Sequence, residues 1–158
     1  EVFQKSRELY GLFEARRALR DLPRLLVVEG YMDVVALAQH GVPNVVATLG
    51  TATSQAHLEK LFRYTREVVC CFDGDSAGRA AAWKALSSAF PVLHEGRQLR
   101  FMFVGEGDDP DTLIRSEGEA KFKQLVEASV SAGDYFFKEI GTGLNLSSMD
   151  ARARLADL

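Results

Sequence analysis

Cysteine is almost missing from this chain. Only Cys70 and Cys71 are present, side by side inside an apolar run. Neighbouring strand residues point to opposite faces, so these two are not expected to bridge each other. No Cys-x-x-Cys and no Cys/His zinc spacing occurs, and both read as reduced packing residues of a cytosolic protein. The three histidines, His40, His57 and His94, fit no ligand or triad spacing. Ser76 therefore has no base to activate it, which excludes a serine nucleophile. No apolar run approaches 18 residues, which excludes a membrane-spanning helix by sequence. No signal peptide is visible, and residue 1 is Glu rather than Met, so the chain reads as cut from a longer protein. An excess of positive charge is also missing. The net charge of -3 argues against a simple basic nucleic-acid surface.

What remains is the composition of a globular domain, 47% hydrophobic and 26% charged. At 158 residues the chain is one full domain, or one domain with part of another. Its charge is uneven. Residues 1–24 carry Lys5, Arg7, Arg16, Arg17, Arg20 and Arg24 against four acids, whereas residues 105–120 carry six acids against Arg115 alone. The basic start can touch a polyanion and the acidic stretch can hold a cation.

The hydrophobic pattern predicts alternating strands and helices. Residues 6–20 read as a helix with Leu9, Leu12, Phe13 and Leu19 on one face, ended by Pro23. Apolar runs at 25–29, 45–47, 68–72 and 99–104 read as strands. The run at 68–72 is continuous, as in a parallel strand covered on both faces. Helices are expected at 31–40, at 55–64 with Ser54 as cap, and from Ser76 to the break at Pro91. Trp83 in the last of these reads as a packing residue. Four such alternations imply right-handed βαβ units and a mainly parallel sheet. After residue 108 the strands are expected to stop, with helices at 111–116, 119–129, 132–140 and 149–158.

Carboxylates recur at the strand ends. Glu29-Gly30 follows the first strand, Asp73-Gly74-Asp75 the third, and Asp108-Asp109-Pro110-Asp111 the fourth. Gly74 allows a tight turn, and Pro110 suits the first turn of the next helix. If the strands are parallel, Glu29, Asp73, Asp75, Asp109 and Asp111 all lie at one edge of the sheet. At ~5 Å and an effective dielectric near 20, each like-charged pair costs about 3 kcal/mol, so protons or cations must neutralise the set. All-oxygen ligands suit Mg²⁺ or Mn²⁺ over zinc. The chemistry such a site supports is phosphoryl or nucleotidyl transfer. Asp and Gly are also ordinary turn formers, so one Asp-x-Asp alone is a weak signal. Thr48 and Thr51 can reach a phosphate near the second strand end or cap the local backbone.

These residues carry a resemblance. Glu-Gly-Tyr-Met-Asp-Val-Val-Ala-Leu at 29–37 and Phe-Asp-Gly-Asp-Ser-Ala-Gly at 72–78 are similar to the two signature motifs of the TOPRIM domain. More narrowly, they resemble the bacterial DnaG-type DNA primases. Residues 5–11, 47–51 and 109–113 also fit that family, in order and spacing. The resemblance implies a TOPRIM, Rossmann-like α/β fold with about four mainly parallel strands flanked by helices and followed by an all-helical segment. It implies a lead-in helix at 1–23 from a preceding basic subdomain, a TOPRIM domain at 24–107, and a truncated helical segment at 108–158. Glu29, Asp73 and Asp75 match the family's catalytic metal-binding acids, and Asp109 and Asp111 its further acidic pair. Asp33 matches the acid of the first motif and is expected behind the ligands, although a first-turn Asp also stabilises a helix by dipole alone. Lys5 and Arg7 fall where the family has basic residues near the nucleic-acid path.

The activity so implied is that of a DNA-directed RNA polymerase in the primosome. It joins ribonucleoside triphosphates on single-stranded DNA into a short RNA primer, using Mg²⁺ or Mn²⁺. Zinc is expected only on an N-terminal domain, and the replicative helicase only on a C-terminal domain, neither of which is in this chain. The setting is the bacterial cytoplasm at the replication fork, with no membrane partner. Two rival readings stand beside it. One is a TOPRIM topoisomerase or nuclease that cleaves phosphodiesters, and the other a nucleotide-binding regulatory module. Ala77 occupies the third place of the longer Asp-x-Asp-x-Asp pattern that the first rival expects.

Overall fold

A computed structural model describes residues 7–19, 21–94, 96–105 and 107–143. The apolar runs become strands and the segments between them become helices, in the order α1 (Leu12–Ala18), β1 (Leu25–Val28), α2 (Tyr31–Gln39), β2 (Val45–Ala47), α3 (Gln55–Leu61), β3 (Glu67–Phe72), α4 (Ser76–Ala89), β4 (Gln98–Phe103), α5 (Pro110–Glu127), β5 (Val130–Ser131) and α6 (Ala132–Gly143). The sheet order is β2-β1-β3-β4-β5. The first four strands are mutually parallel, and β5 runs antiparallel to β4.

Alternation along each strand divides the core into two layers. Leu25, Val27, Val68, Cys70 and Phe101 face α1, α3, α4 and α6. Leu26, Val28, Val69, Cys71 and Met102 face α2 and α5. The adjacent cysteines thus point into different layers and remain free and buried. Burial pushes the Cys70 thiol up to about 12 and raises that of Cys71 as well, so neither is a thiolate at neutral pH. β3 lies between β1 and β4, which explains its unbroken apolar run. Among the described residues no helix is long and apolar enough to cross a membrane.

Four local readings change. The first helix begins only at Leu12, because Gly11 has φ +81° and Tyr10 pairs instead with Ala47 on the edge of β2. Phe13, expected on the apolar face, is 64% exposed. Trp83 is not a core residue; it stacks at the surface on Phe136, with centroids 6.3 Å apart. Strands do not stop at residue 108, since β5 adds a fifth. Two residues carry no periodicity of their own, and only pairing with β4 makes them a strand. Gly118, at φ +81°, separates the two helical pieces of α5 as the sequence anticipates. The helix expected at 149–158 lies outside the described residues.

One polar clamp holds this far edge. Arg100 on β4 donates from Nε to Ser129 Oγ at 2.8 Å and from its terminal nitrogen to the Glu127 carbonyl at 3.2 Å and to the Ser129 carbonyl. It thereby satisfies carbonyls at the end of α5 that the helix leaves without partners. Arg100→Ala is expected to cost about 2 kcal/mol, lowering the melting temperature by about 6 °C. Lys in its place restores only part of that, because a single ammonium cannot reproduce the fork. Unchanged melting of both variants would count against the clamp.

Candidate functional site

Parallel pairing brings the carboxyl ends of β1, β3 and β4 to one edge of the sheet. The chain winds outward in opposite directions from β1 and β3, with α2 on one face and α3 and α4 on the other. Ligands of open α/β sheets bind in the crevice at that kind of reversal. Glu29 follows β1 and Asp73 follows β3, so these two acids flank the crevice. A cleft of about 420 Å³ opens between them, lined also by Thr48, Thr51, Gly78 and Lys84.

Local chemistry holds the frame. The loop after β2 closes over the end of β1: Thr48 donates its backbone N–H to the Val28 carbonyl at 3.2 Å, and Gly50 to the Glu29 carbonyl at 3.3 Å. The Thr48 and Thr51 hydroxyls donate to each other's carbonyls at 2.7 and 2.9 Å, so both act as local caps. Asp75 is the N-cap of α4, accepting from Gly78 N–H at 2.7 Å. Gly78 packs directly on the backbone of Asp73; a Cβ there would stand 2.0 Å from the Asp73 carbonyl oxygen. Asp109 caps α5 by accepting from Thr112 N–H at 2.6 Å. The Asp111 carboxylate pairs with Arg115 one turn on.

Asp33 links the two halves of the acidic edge. One oxygen accepts from Gly30 N–H at 3.2 Å and the other from Asp111 N–H at 3.3 Å. Its carboxylate therefore ties the start of α2 to the start of α5, a contact across 78 residues of sequence.

The electrostatics follow from crowding. Desolvation raises the Glu29 carboxyl above the usual range, and the charges of Asp73, Asp33 and Asp75 raise it further. Desolvation, then Asp75 and Asp109, raise Asp73. Asp33 is raised chiefly by desolvation, which outweighs its two backbone hydrogen bonds. The six acids thus form one connected field. Among the described residues, however, no three of them stand close enough to grip a metal ion between them. An open site of this kind fits Mg²⁺, which takes one or two carboxylates and leaves its other positions to water and substrate phosphates. The donors are all oxygen, and their mutual repulsion is what a cation relieves.

The expected residues are therefore brought to one edge, but with different duties. Glu29 and Asp73 present carboxylates to the cleft. Asp75, Asp109 and Asp111 lie beside it with partners of their own. Arg7 is exposed, and its carbonyl accepts from Lys60 Nζ at 3.4 Å; Lys5 lies outside the described residues. Two features escaped the sequence reading. Lys84 shares a helical face with Ala77, Ala80 and Ala81, a spacing that could have flagged it. Leu49 adopts φ +59°, a left-handed conformation that costs a non-glycine residue about 1–2 kcal/mol and that no sequence pattern marks.

Comparison with known proteins places this architecture. A Toprim-like family model matches residues 26–114. The chain is 51% identical over 158 residues to a DNA primase of Escherichia coli (strain K12), covering all of this chain and 27% of that protein. It superposes on a structure of the DnaG primase catalytic domain bound to ssDNA with a TM-score of 0.96 and 51% identity, covering 100% of this chain and 50% of that one. With the zinc-binding and RNA polymerase domains of the Aquifex aeolicus primase the TM-score is 0.69 at 34% identity, over 83% of this chain and 32% of that one. The chain thus spans about a quarter of the length of its curated relative and half of the solved DnaG catalytic domain. The chain belongs to the Toprim-like family, and its similarity runs through the catalytic core of bacterial DnaG DNA primases.

Proposed function

We propose that this chain is the metal-binding portion of a DNA primase catalytic core, a DNA-directed RNA polymerase that makes short RNA primers on single-stranded DNA. The observation that carries this reading is the meeting of Glu29 and Asp73 across the crevice between β1 and β3, in a cleft of nucleotide size. Glu29 and Asp73 hold a divalent cation, Mg²⁺ or Mn²⁺, with Asp75, Asp109 and Asp111 supplying further charge along the edge. A bound cation supplies Lewis-acid assistance to phosphoryl transfer and offsets the charge of the triphosphate. Asp33 fixes the relative placement of the α2 and α5 starts that carry these acids. No protein general base is required of this chain. Lys5 and Arg7 guide the nucleic-acid backbone without reading sequence. The whole protein's partners are the template, ribonucleoside triphosphates and the growing primer, with zinc and the replicative helicase engaged by other domains, in the bacterial cytoplasm.

The test is primer synthesis by the intact protein carrying Glu29→Gln or Asp73→Asn. Loss of primers with the fold retained is expected. Normal primer yield would sink the reading, and metal-dependent strand cleavage without nucleotide polymerisation would favour a phosphodiester-cleaving enzyme instead.

A further inference from the structure

The cleft has two ends of opposite charge. At one end stand Glu29 and Asp73. Along the wall formed by α4, Ala77, Ala80 and Ala81 leave the surface low, and Lys84 ends the row. Lys84 is the one cation among the described residues lining this cleft. Two lysines elsewhere are held in ion pairs, Lys60 with Glu8 and Lys123 with Glu119. Lys84 makes no ion pair and no hydrogen bond among the described residues. It sits about two turns into α4, whereas Glu29 and Asp73 follow directly on the ends of β1 and β3, so it stands apart from the acids.

Geometry gives that separation a use. Lys84 lies six residues beyond Gly78, which touches the Asp73 backbone; at a rise of 1.5 Å per residue this is about 9 Å along the helix. Helical side chains lean toward the N-terminus, so the Lys84 stem lies back over Ala80 and Ala81, toward the acids. A ligand that satisfies both ends must offer oxygens to a cation held by the acids and a further anionic group several ångströms away. A chain of phosphates does this, and lysine recognises such a group as a point charge.

We propose that Lys84 is a binding residue for the polyphosphate of the incoming nucleoside triphosphate, gripping the phosphates farthest from the acid pair. This rests on the nucleotidyl-transfer reading of the site. It also gives the low alanine wall a role, since larger side chains at 77, 80 or 81 would obstruct the path between the two ends.

The test compares Lys84→Met and Lys84→Arg in the intact protein, with matched melting temperatures to show that both are folded. Three quantities are measured: the KM for ribonucleoside triphosphate, the Kd of a non-hydrolysable nucleoside triphosphate with Mn²⁺, and the Kd of single-stranded DNA without nucleotide. Lys84→Met is expected to raise KM and the nucleotide Kd about tenfold, and to move kcat by less than about threefold, the pattern of a lost ground-state contact. Lys84→Arg stays within about twofold of the parent. The gap narrows in high salt, as it must for an exposed charge. Nucleotide binding unchanged in Lys84→Met, or a loss that falls on single-stranded DNA instead, overturns the assignment. Failure of the underlying function is read separately, from Mn²⁺ binding and primer yield in Glu29→Gln, which leaves Lys84 in place.

Discussion

Replacing Asp73 by Asn should do two opposite things: abolish metal-dependent nucleotidyl transfer and make the folded domain more stable. The catalytic loss is expected to exceed about a hundredfold, because in the proposed function Asp73 holds the cation that supplies several kcal/mol of charge stabilisation. The gain in stability follows from the crowding of acids. Glu29, Asp33 and Asp73 are all raised above the ordinary carboxylate range in the folded state, by desolvation first and by one another second. A carboxyl whose folded value is raised binds protons more readily folded than unfolded. Stability therefore falls as pH rises from the ordinary carboxylate range through the raised values, and the penalty stays in full above them. Neutralising one acid removes part of that penalty at pH 7. Both Glu29 and Asp73 are largely exposed, so solvent screening holds the gain to about 1 kcal/mol or less, a melting-temperature rise of about 2–4 °C. Thermal melts from pH 3.5 to 8 check this. The variants' advantage over the parent should vanish at acid pH, where the parent's carboxyls are protonated. The parent should also gain stability from added Mn²⁺ at neutral pH, whereas Asp73→Asn and Glu29→Gln should respond weakly to both. A variant less stable than the parent at pH 7 without metal contradicts this account.

Gly78→Ala should be the most damaging single methyl in the domain. The new Cβ would meet the Asp73 carbonyl oxygen at 2.0 Å and the Asp73 backbone nitrogen at 3.1 Å. Both are main-chain atoms at the end of β3, so neither can swing aside as a side chain can. Relief requires α4 to move away from the strand end, which breaks the 2.7 Å bond from Gly78 N–H to Asp75 and widens the turn that aims Asp73. Overpacking of this kind costs about 3 kcal/mol, equivalent to about 6–12 °C in melting temperature, even though alanine favours a helix over glycine by about 1 kcal/mol. Because the turn carries the acid, Mn²⁺ affinity should fall with stability. Suppressing the instability by working at low temperature should not restore metal binding. Parent-like melting and parent-like Mn²⁺ binding in this variant would show that the strand end tolerates the shift.

Much of this was legible from residue order. Continuous apolar runs announced the four parallel strands, Ser54 and Pro110 marked helix starts, and the strand-end acids could be named before any coordinates. Local rules suffice there, because burial on both faces, capping and turn formation act within a few residues. The adjacent cysteines show the same economy: alternation alone sends them to different layers.

Tertiary structure decided what depends on distant pairings. Four parallel strands are compatible with many orders, and only the order β2-β1-β3-β4 sets Glu29 beside Asp73 rather than two strands away. The two-residue β5 exists because β4 offers an open edge. Asp33 reads locally as a dipole-friendly first-turn acid, yet its second oxygen holds a backbone N–H 78 residues on. Lys84 shows in the sequence only a helical spacing with Ala77, Ala80 and Ala81, and gains its place at the cleft from the helix that Gly78 seats on the strand end. By itself the sequence determined which groups carry charge and which segments become buried, since those are properties of short stretches. The fold alone determined which charges share a field and which stand apart, since that depends on where strands far apart in the chain come to lie.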